Sequence, residues 1–221
     1  MAQSKSAMRY KKNQYIFREG NPVHGIYIIH SGKVKVLSTG FNEKVQIIRI
    51  AKSGYLLGHR GFGDKFYQIS AVAIEDSMIC FIEASIFTKL LKSDPELTYQ
   101  LMLFYANELR LAESRMKNLA QMTVKEKSAE SLLLLKQIFG VRKKTGVVLD
   151  TVLARKDMAE LAGLSPEQLT KCFSEFRDER AIRIDGKTIT ILQPEILFKL
   201  IAPYYPSQNL RETQYAESFL V

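Results

Sequence analysis

The sequence predicts an α+β chain: a β-rich N-terminal barrel or sandwich, one long helix, and a C-terminal winged helix–turn–helix. Three observations predict it. Residues 10 to 83 hold short alternating runs split by turn residues. From about Ala84 the apolar period lengthens, and from Pro95 to about Met122 no internal Gly or Pro breaks it. Further on, "LAGLSPEQLTKCF" (161 to 173) stops one helix and restarts another, and a hairpin signal follows.

The strands come first. "GIYIIHSGKVKVLS" alternates on both sides of Ser31-Gly32, a turn signal. "KVQIIRIAKSGYLLG" repeats the pattern, with Val45, Ile47 and Ile48 ahead of Ser53-Gly54. "QISAVAIEDSMICFIEA" gives two more runs split at Glu75-Asp76, and "FREGNP" (17 to 22) is a turn by composition. Short strands at such spacing close into a barrel or pack as a sandwich.

The long helix has its own start signal. Asp94 can cap it, Pro95 suits the first helical position, and Leu97 falls close to a capping-box position. Leu97, Leu101, Phe104, Leu111, Leu119 and Met122 form one stripe at heptad-like spacing. About 28 residues at 1.5 Å each give roughly 42 Å, longer than most globular helices. The stripe can lie on the chain's own barrel or form a dimer seam, and the length favours the seam. Glu108 and Arg115 interrupt it and are expected to pair across it. A second helix, about Val124 to Phe139, ends at Gly140, and the basic "VRKKTG" behind it reads as a domain boundary.

The restart is a helix–turn–helix. Lys156 to Ala162 makes a short helix with Met158, Leu161 and Ala162 on one side. Gly163 suits a left-handed stop. Ser165 is a good N-cap, Pro166 a good first residue, and Gln168 completes a capping box. Leu169, Phe173 and Phe176 then face inward. "AIRIDGKTITIL" alternates around Asp185-Gly186, a strong hairpin signal that supplies the wing. Ser165, Glu167, Gln168, Thr170 and Lys171 are the candidate contacts to base edges, since the N-terminal residues of a recognition helix meet the major groove. A Glu accepts from cytosine N4, and a Lys donates to guanine O6 or N7. Arg155 and Lys187 are placed to touch phosphates, which position a protein without reading sequence. A protein-binding winged helix with a solvated polar face is the alternative; the combination of cap and wing favours double-stranded DNA.

Composition narrows the classes. A net charge of +9 and a pI near 9.4 favour a polyanionic partner. From Val141 onward, however, 12 Lys+Arg face 11 Asp+Glu, so the excess sits in the first 140 residues. The expectation of DNA therefore rests on where charges are placed. Two Cys and the start "MAQSKS", which lacks an apolar core, point to a reducing, cytoplasmic setting without disulfides. No window approaches 18 consecutive apolar residues, so no membrane span is expected. No nucleophile elbow accompanies the 3 His, no GxxxxGK[ST] loop occurs, and "GHRGFG" neither has dinucleotide-fold spacing nor opens a helix. The chain is not expected to be an enzyme. His24 and His30 flank a strand without the spacing of a cupin metal site, and no metal is expected.

At "FREGNP…YIIHSGKVKV", "NLAQM" and "DMAELAGLSPEQLTKCFSEFRDERAIRIDGKTITI" the chain resembles the family of cyclic-AMP receptor protein and the fumarate–nitrate regulator. The resemblance covers nearly the whole chain. It implies a β-roll sensor (a cyclic-nucleotide-binding-like jelly roll) at 1–94, a dimerisation helix at 95–123 and a winged helix–turn–helix DNA-binding domain at 124–221. It implies a homodimer on a pseudo-palindromic operator with half-sites about 34–36 Å apart. It also implies RNA polymerase as a partner, and a signal at the roll that repacks the long helices. Family members commonly carry Ser-x-Glu-x-x-x-Arg in the recognition helix; here Ser165, Glu167 and Lys171 fall on those places. Lys for Arg keeps the charge but loses the planar fork.

The sensor departs from the cyclic-AMP pattern. Gly58, His59, Arg60, Ile69, Ser70, Ala112 and Glu113 fall on the family's effector pocket. Gly58, Ser70 and Ala71 match it, but His59 stands where a ribose-binding Glu would be and Ile69 where the phosphate-binding Arg would be. Ala112 and Glu113 replace hydroxyl residues that would meet adenine. Cyclic AMP is therefore not expected, because a cyclic phosphate would lose its bidentate partner; Arg60 and Lys65 offer a looser anion site. An iron–sulfur centre needs more Cys than Cys80 and Cys172. Haem is a lesser alternative: carbon-monoxide-sensing members use a His in this segment, and His59 falls there, but Leu57 replaces the companion Cys. No cofactor is expected, and the effector is left unassigned, as is the tail from 203 to 221.

Overall fold

Alternation along the strands becomes two faces of a roll. In this computed structural model, which describes residues 6–150 and 153–205, the chain divides into two compact units at Glu108 and Leu109. The first holds β1 (Ser6–Tyr10), β2 (Tyr15–Phe17), β3 (Gly25–Ser31), β4 (Lys33–Thr39), β5 (Val45–Lys52), β6 (Leu56–Leu57), β7 (Ser70–Ala73) and β8 (Ser77–Glu83). They form two four-stranded antiparallel sheets, ordered β1-β8-β3-β6 and β2-β7-β4-β5. In β4, Val34 and Val36 are buried while Lys33 and Lys35 lean outward, as a period of two demands. Ile26, Ile29, Ile47 and Ile79 complete the apolar interior. Phe17 stacks on Tyr67 at 4.3 Å and on Tyr27 at 5.4 Å, and the Tyr67 hydroxyl donates to the Gly25 carbonyl at 2.7 Å. Gly25 is required by close approach: a Cβ there would lie 2.1 Å from the Ile82 carbonyl oxygen. β1, which pairs with β8, lies almost wholly ahead of residue 10, where the strands are expected to begin.

Helices α1 (Ala84–Ser93) and α2 (Pro95–Gln121) follow. The break between them is the expected one, since Asp94 Oδ1 accepts the Leu97 N–H at 3.0 Å. The second unit adds α3 (Val124–Phe139), β9 (Gly140–Lys143), β10 (Gly146–Leu149), α4 (Arg155–Ala162), α5 (Pro166–Asp178), β11 (Ile182–Asp185), β12 (Thr188–Ile191) and α6 (Pro194–Ile201). Its core holds Leu132, Leu135, Met158, Leu161, Leu169, Phe173, Phe176, Ile191 and Leu197. One expectation changes here. "VRKKTG" is not a boundary: it folds as part of the β9–β10 hairpin, and β10 pairs with β12 in the sheet β11-β12-β10-β9. A basic, Gly-closed stretch fits a hairpin as well as a linker, and only the pairing of Val147 with Ile191 distinguishes them.

The faces of α2 also differ from expectation. Most of the proposed stripe turns toward the chain itself: Leu101 packs against the cluster of Ile26, Ile82 and Phe87, Phe104 meets His59 at 5.1 Å, and Met122 is buried, while Leu97 is exposed. Outward lie Tyr99, Met102, Ala106, Leu109, Glu113, Met116 and Ala120, at alternating steps of three and four. That second stripe is one to two residues round the helix, about 150° away. Heptad spacing exists on both faces, and spacing alone cannot tell which face the chain covers. Glu108 and Arg115 belong to the covered side. Glu108 binds Arg49 and Arg60, and Arg115 donates to the Leu161 carbonyl, so their expected pairing across a seam is replaced by bonds within the chain.

Two substitutions check this packing by thermal melting. Phe176→Ala, at a position with no exposure, should cost about 3–5 kcal/mol. Gly25→Ala should cost about 1–3 kcal/mol or more, because backbone has to move. A melt unchanged by either contradicts the core described.

Candidate functional site

The first candidate surface is the start of α5. Gly163 takes φ +68, which ends α4 in a left-handed residue. Ser165 Oγ accepts the Gln168 N–H at 3.2 Å, and Gln168 Oε1 accepts the Ser165 N–H at 3.0 Å, so the capping box forms as expected. Leu169, Cys172, Phe173 and Phe176 are buried, and Glu167, Gln168, Thr170 and Lys171 are exposed on the other side. Ser174, half-exposed one turn beyond Lys171, extends that face and was not anticipated. The Ser165 hydroxyl, together with the helix's own N–H at Glu167, holds the Glu167 carboxyl below the usual range, so it is ionised. Thr170 Oγ1 donates back to the Pro166 carbonyl at 2.7 Å. Arg155, at the start of α4, is half-buried with its guanidinium 5.0 Å over the Phe173 ring, tying α4 to α5. Lys187 is exposed in the β11–β12 turn beside Gly186, whose φ is +59.

The second candidate site is a buried charge cluster in the first unit. Glu108, 9% exposed, receives both its oxygens' bonds from Arg49 Nη1 at 2.7 Å each, and Arg60 Nη2 adds a third at 3.2 Å. His59 is 1% exposed; its Nδ1 lies 3.1 Å from the Leu56 carbonyl oxygen, and its Nε2 lies 3.5 Å from Glu108 Oε2. A carbonyl only accepts, so Nδ1 carries the proton. In the neutral ring, Nε2 then faces the carboxylate as an acceptor with no donor. Tyr105 closes the cluster by donating to the His59 carbonyl at 2.7 Å. Of the expected effector residues, the structure brings His59 and Arg60 together here, beside Gly58 at φ +75. Ile69 and Ser70 are buried, with Ser70 Oγ accepting the Glu19 N–H, while Ala112 and Glu113 are exposed on α2 in the second unit. Arg49 is a partner that lies outside the expected site residues. Its signal is a lone charge amid "QIIRIA", opposite in sign to Glu108, which interrupts the apolar stripe of α2.

Burial lowers the His59 pKa from 6.5 more strongly than Glu108 raises it, and Arg49 and Arg60 push the same way as burial. Burial would raise the Glu108 carboxyl, but His59, Arg49 and Arg60 together outweigh it and hold the group at about 2. Both folded values lie below the unfolded ones. Stability is thus complete above about pH 6.5, falls as His59 must accept a proton, and falls again below about 4.5 as Glu108 is neutralised. The urea midpoint of the first unit should drop between pH 7 and pH 5, and His59→Gln should remove that drop while leaving the loss below about 4.5. A midpoint flat from pH 7 to pH 5 in the unmodified protein refutes the assignment.

Known proteins share both halves of this arrangement. Residues 7–94 match the cyclic nucleotide-binding domain, and residues 126–200 match the Crp-like helix-turn-helix domain. The transcriptional activator protein anr of Pseudomonas aeruginosa is 28% identical over 182 residues, covering 82% of this chain and 75% of its own length. An anaerobic regulatory protein of Bacillus subtilis is 25% identical over 185 residues, covering 82% and 78%. Among solved structures, FixK2 from Bradyrhizobium japonicum superposes with a TM-score of 0.77 at 22% identity, over 89% of this chain and 96% of that one. A CRP/FNR-family transcriptional regulator from Thermus thermophilus gives 0.75 at 22% identity, over 88% and 97%. With a roll of the cyclic-nucleotide-binding type, a long central helix and a Crp-like winged helix–turn–helix in that order, the chain belongs to the Crp/Fnr family.

Proposed function

We propose that the protein is a homodimeric, sequence-specific transcription regulator that reads double-stranded DNA with α5. The observation that carries this reading is the capped start of α5, with Glu167, Gln168, Thr170 and Lys171 exposed opposite a fully buried apolar face. Lys171 supplies the donor for guanine and Glu167 the acceptor for cytosine N4. Ser165 and Gln168 hold the cap; Gln168 reaches bases with its free Nε2 donors, and Ser165 stands beside them with its hydroxyl proton held by Glu167. The Thr170 hydroxyl is committed to its own helix, leaving the methyl as the contact of the kind that packs on thymine. Lys187 and Arg155 hold phosphates.

The reading places a sensor at 1–94, a dimerisation rod at 95–123 and the DNA-binding domain at 124–221. The rod's outward stripe from Tyr99 to Ala120 supports the dimer, because its alternating steps of three and four are those of a coiled-coil seam. RNA polymerase is the expected partner on DNA, and the setting is cytoplasmic; among the described residues no helix is long and apolar enough to cross a membrane. The protein acts by binding, not by catalysis. Within the first unit, the effector pocket is assigned to the surroundings of Gly58, His59, Arg60, Ile69 and Ser70. Cyclic AMP does not suit it, since Ile69 is a buried apolar side chain where the anion's partner would stand.

Three variants test the reading. Lys171→Ala should lose about 1–3 kcal/mol of discrimination at one base pair per half-site. Lys187→Ala should weaken all sequences alike and lower the salt slope by about one. Uniform weakening by both rejects the role of Lys171. Leu109→Arg, in the middle of the outward stripe, should give a monomer in sedimentation and abolish retention on an inverted repeat; a dimer that persists rejects the seam.

A further inference from the structure

The inward face of α2 reaches the DNA-reading part of the second unit at two points. Arg115 Nη2 donates to the Leu161 carbonyl oxygen at 2.6 Å. Leu161 lies in the last turn of α4, where carbonyls have no intrahelical donor and a cation is favoured. It stands two residues before Gly163, where the chain turns toward α5. About one turn further along α2, Asn118, 1% exposed, donates through Nδ2 to Glu130 Oε1 on α3 and to Tyr205 Oη, at 2.7 Å each. The Tyr205 hydroxyl donates in turn to Glu130, which closes a triangle. Asn118 Oδ1 is buried with no partner, so the amide is held through its donor side alone. Apolar contact lets a helix roll or slide at small cost; short bonds of fixed direction to a helix end and to a buried carboxylate do not.

We propose that Arg115 and Asn118 are positioning residues that set which half-site spacing the regulator accepts. The proposal rests on the reading of a dimer bound to two half-sites. In such a dimer, the separation of the two α5 helices follows from the angle between each α2 and its own α4–α5 pair. One base pair inserted between half-sites moves the second by about 3.4 Å and turns it by about 34–36°. A helix pair held by directed bonds rejects that displacement, and a loosened pair follows it. Neither side chain touches DNA in the proposed reading, so sequence preference and spacing preference are separable.

The test uses the full chain and an inverted-repeat duplex enriched by the unmodified protein from a randomised pool, remade with one or two base pairs added to or removed from its centre. The unmodified protein should bind the enriched spacing at least tenfold more tightly than its neighbours. Arg115→Met keeps the aliphatic stem and loses the donor. It should keep its melting temperature within a few degrees, its dimer and its half-site sequence preference, yet shrink the penalty for a one-base-pair change about tenfold. Arg115→Lys, which still offers a cation to the carbonyl, should restore part of that penalty, and Asn118→Leu should relax spacing as Arg115→Met does. Equal weakening of Arg115→Met on every spacing overturns the proposal while leaving the regulator intact. An unmodified protein that binds all spacings alike overturns both the dimeric reading and the inference drawn from it.

Discussion

A carboxylate withdrawn from water on α2 must be met by cations, and the first unit is arranged around that requirement. Glu108 is nearly buried, and its two oxygens are answered by Arg49 from β5 and Arg60 from the loop after β6. Arg49 also donates to the Leu56 carbonyl at 3.2 Å, the same oxygen that accepts from His59. Strand, loop and helix therefore share one network. A buried pair of this kind adds little net stability compared with apolar residues of the same size, but losing one partner leaves an uncompensated charge. Its effect is to fix which turn of α2 faces the roll, a choice that the apolar contacts of Leu101 and Phe104 would leave loose.

The second unit solves the same problem with different chemistry. Around Asn118, Glu130 and Tyr205 the polar atoms are directed at one another, and Arg115 is directed at a helix end. Tyr204 adds a contact to Glu126 at 3.1 Å, next to the capping box in which Thr123 begins α3. Two tyrosines just after α6 thus hold the junction of α2 and α3. This gives a role to the start of a tail that composition alone left unassigned; residues 206–221 lie outside the described residues.

In α5 itself, folding and reading use neighbouring atoms of the same residues. The cap takes the Ser165 hydroxyl oxygen and the Gln168 carbonyl oxygen, and the N–H groups and charges left over face outward. The stability of the helix start and its capacity to read are coupled for that reason. Glu167 beside the N-terminus is held ionised by the same local donors, which keeps it an acceptor and not a donor toward a base edge.

By itself the sequence determined the local elements. Turn chemistry at Ser31-Gly32, Gly163 and Asp185-Gly186, the caps at Asp94 and Ser165, and the buried face of Leu169, Phe173 and Phe176 are all set by neighbours within a few residues. Such signals are short-ranged, and they appeared where expected. Only tertiary structure decided which of two heptad-spaced stripes on α2 the chain covers, that Glu108 meets Arg49 across 59 residues, and that Arg115 meets Leu161 across 46. It also decided that "VRKKTG" joins the wing sheet. These outcomes depend on pairings between distant segments, and neither spacing nor composition carries the direction in which a helix is rolled.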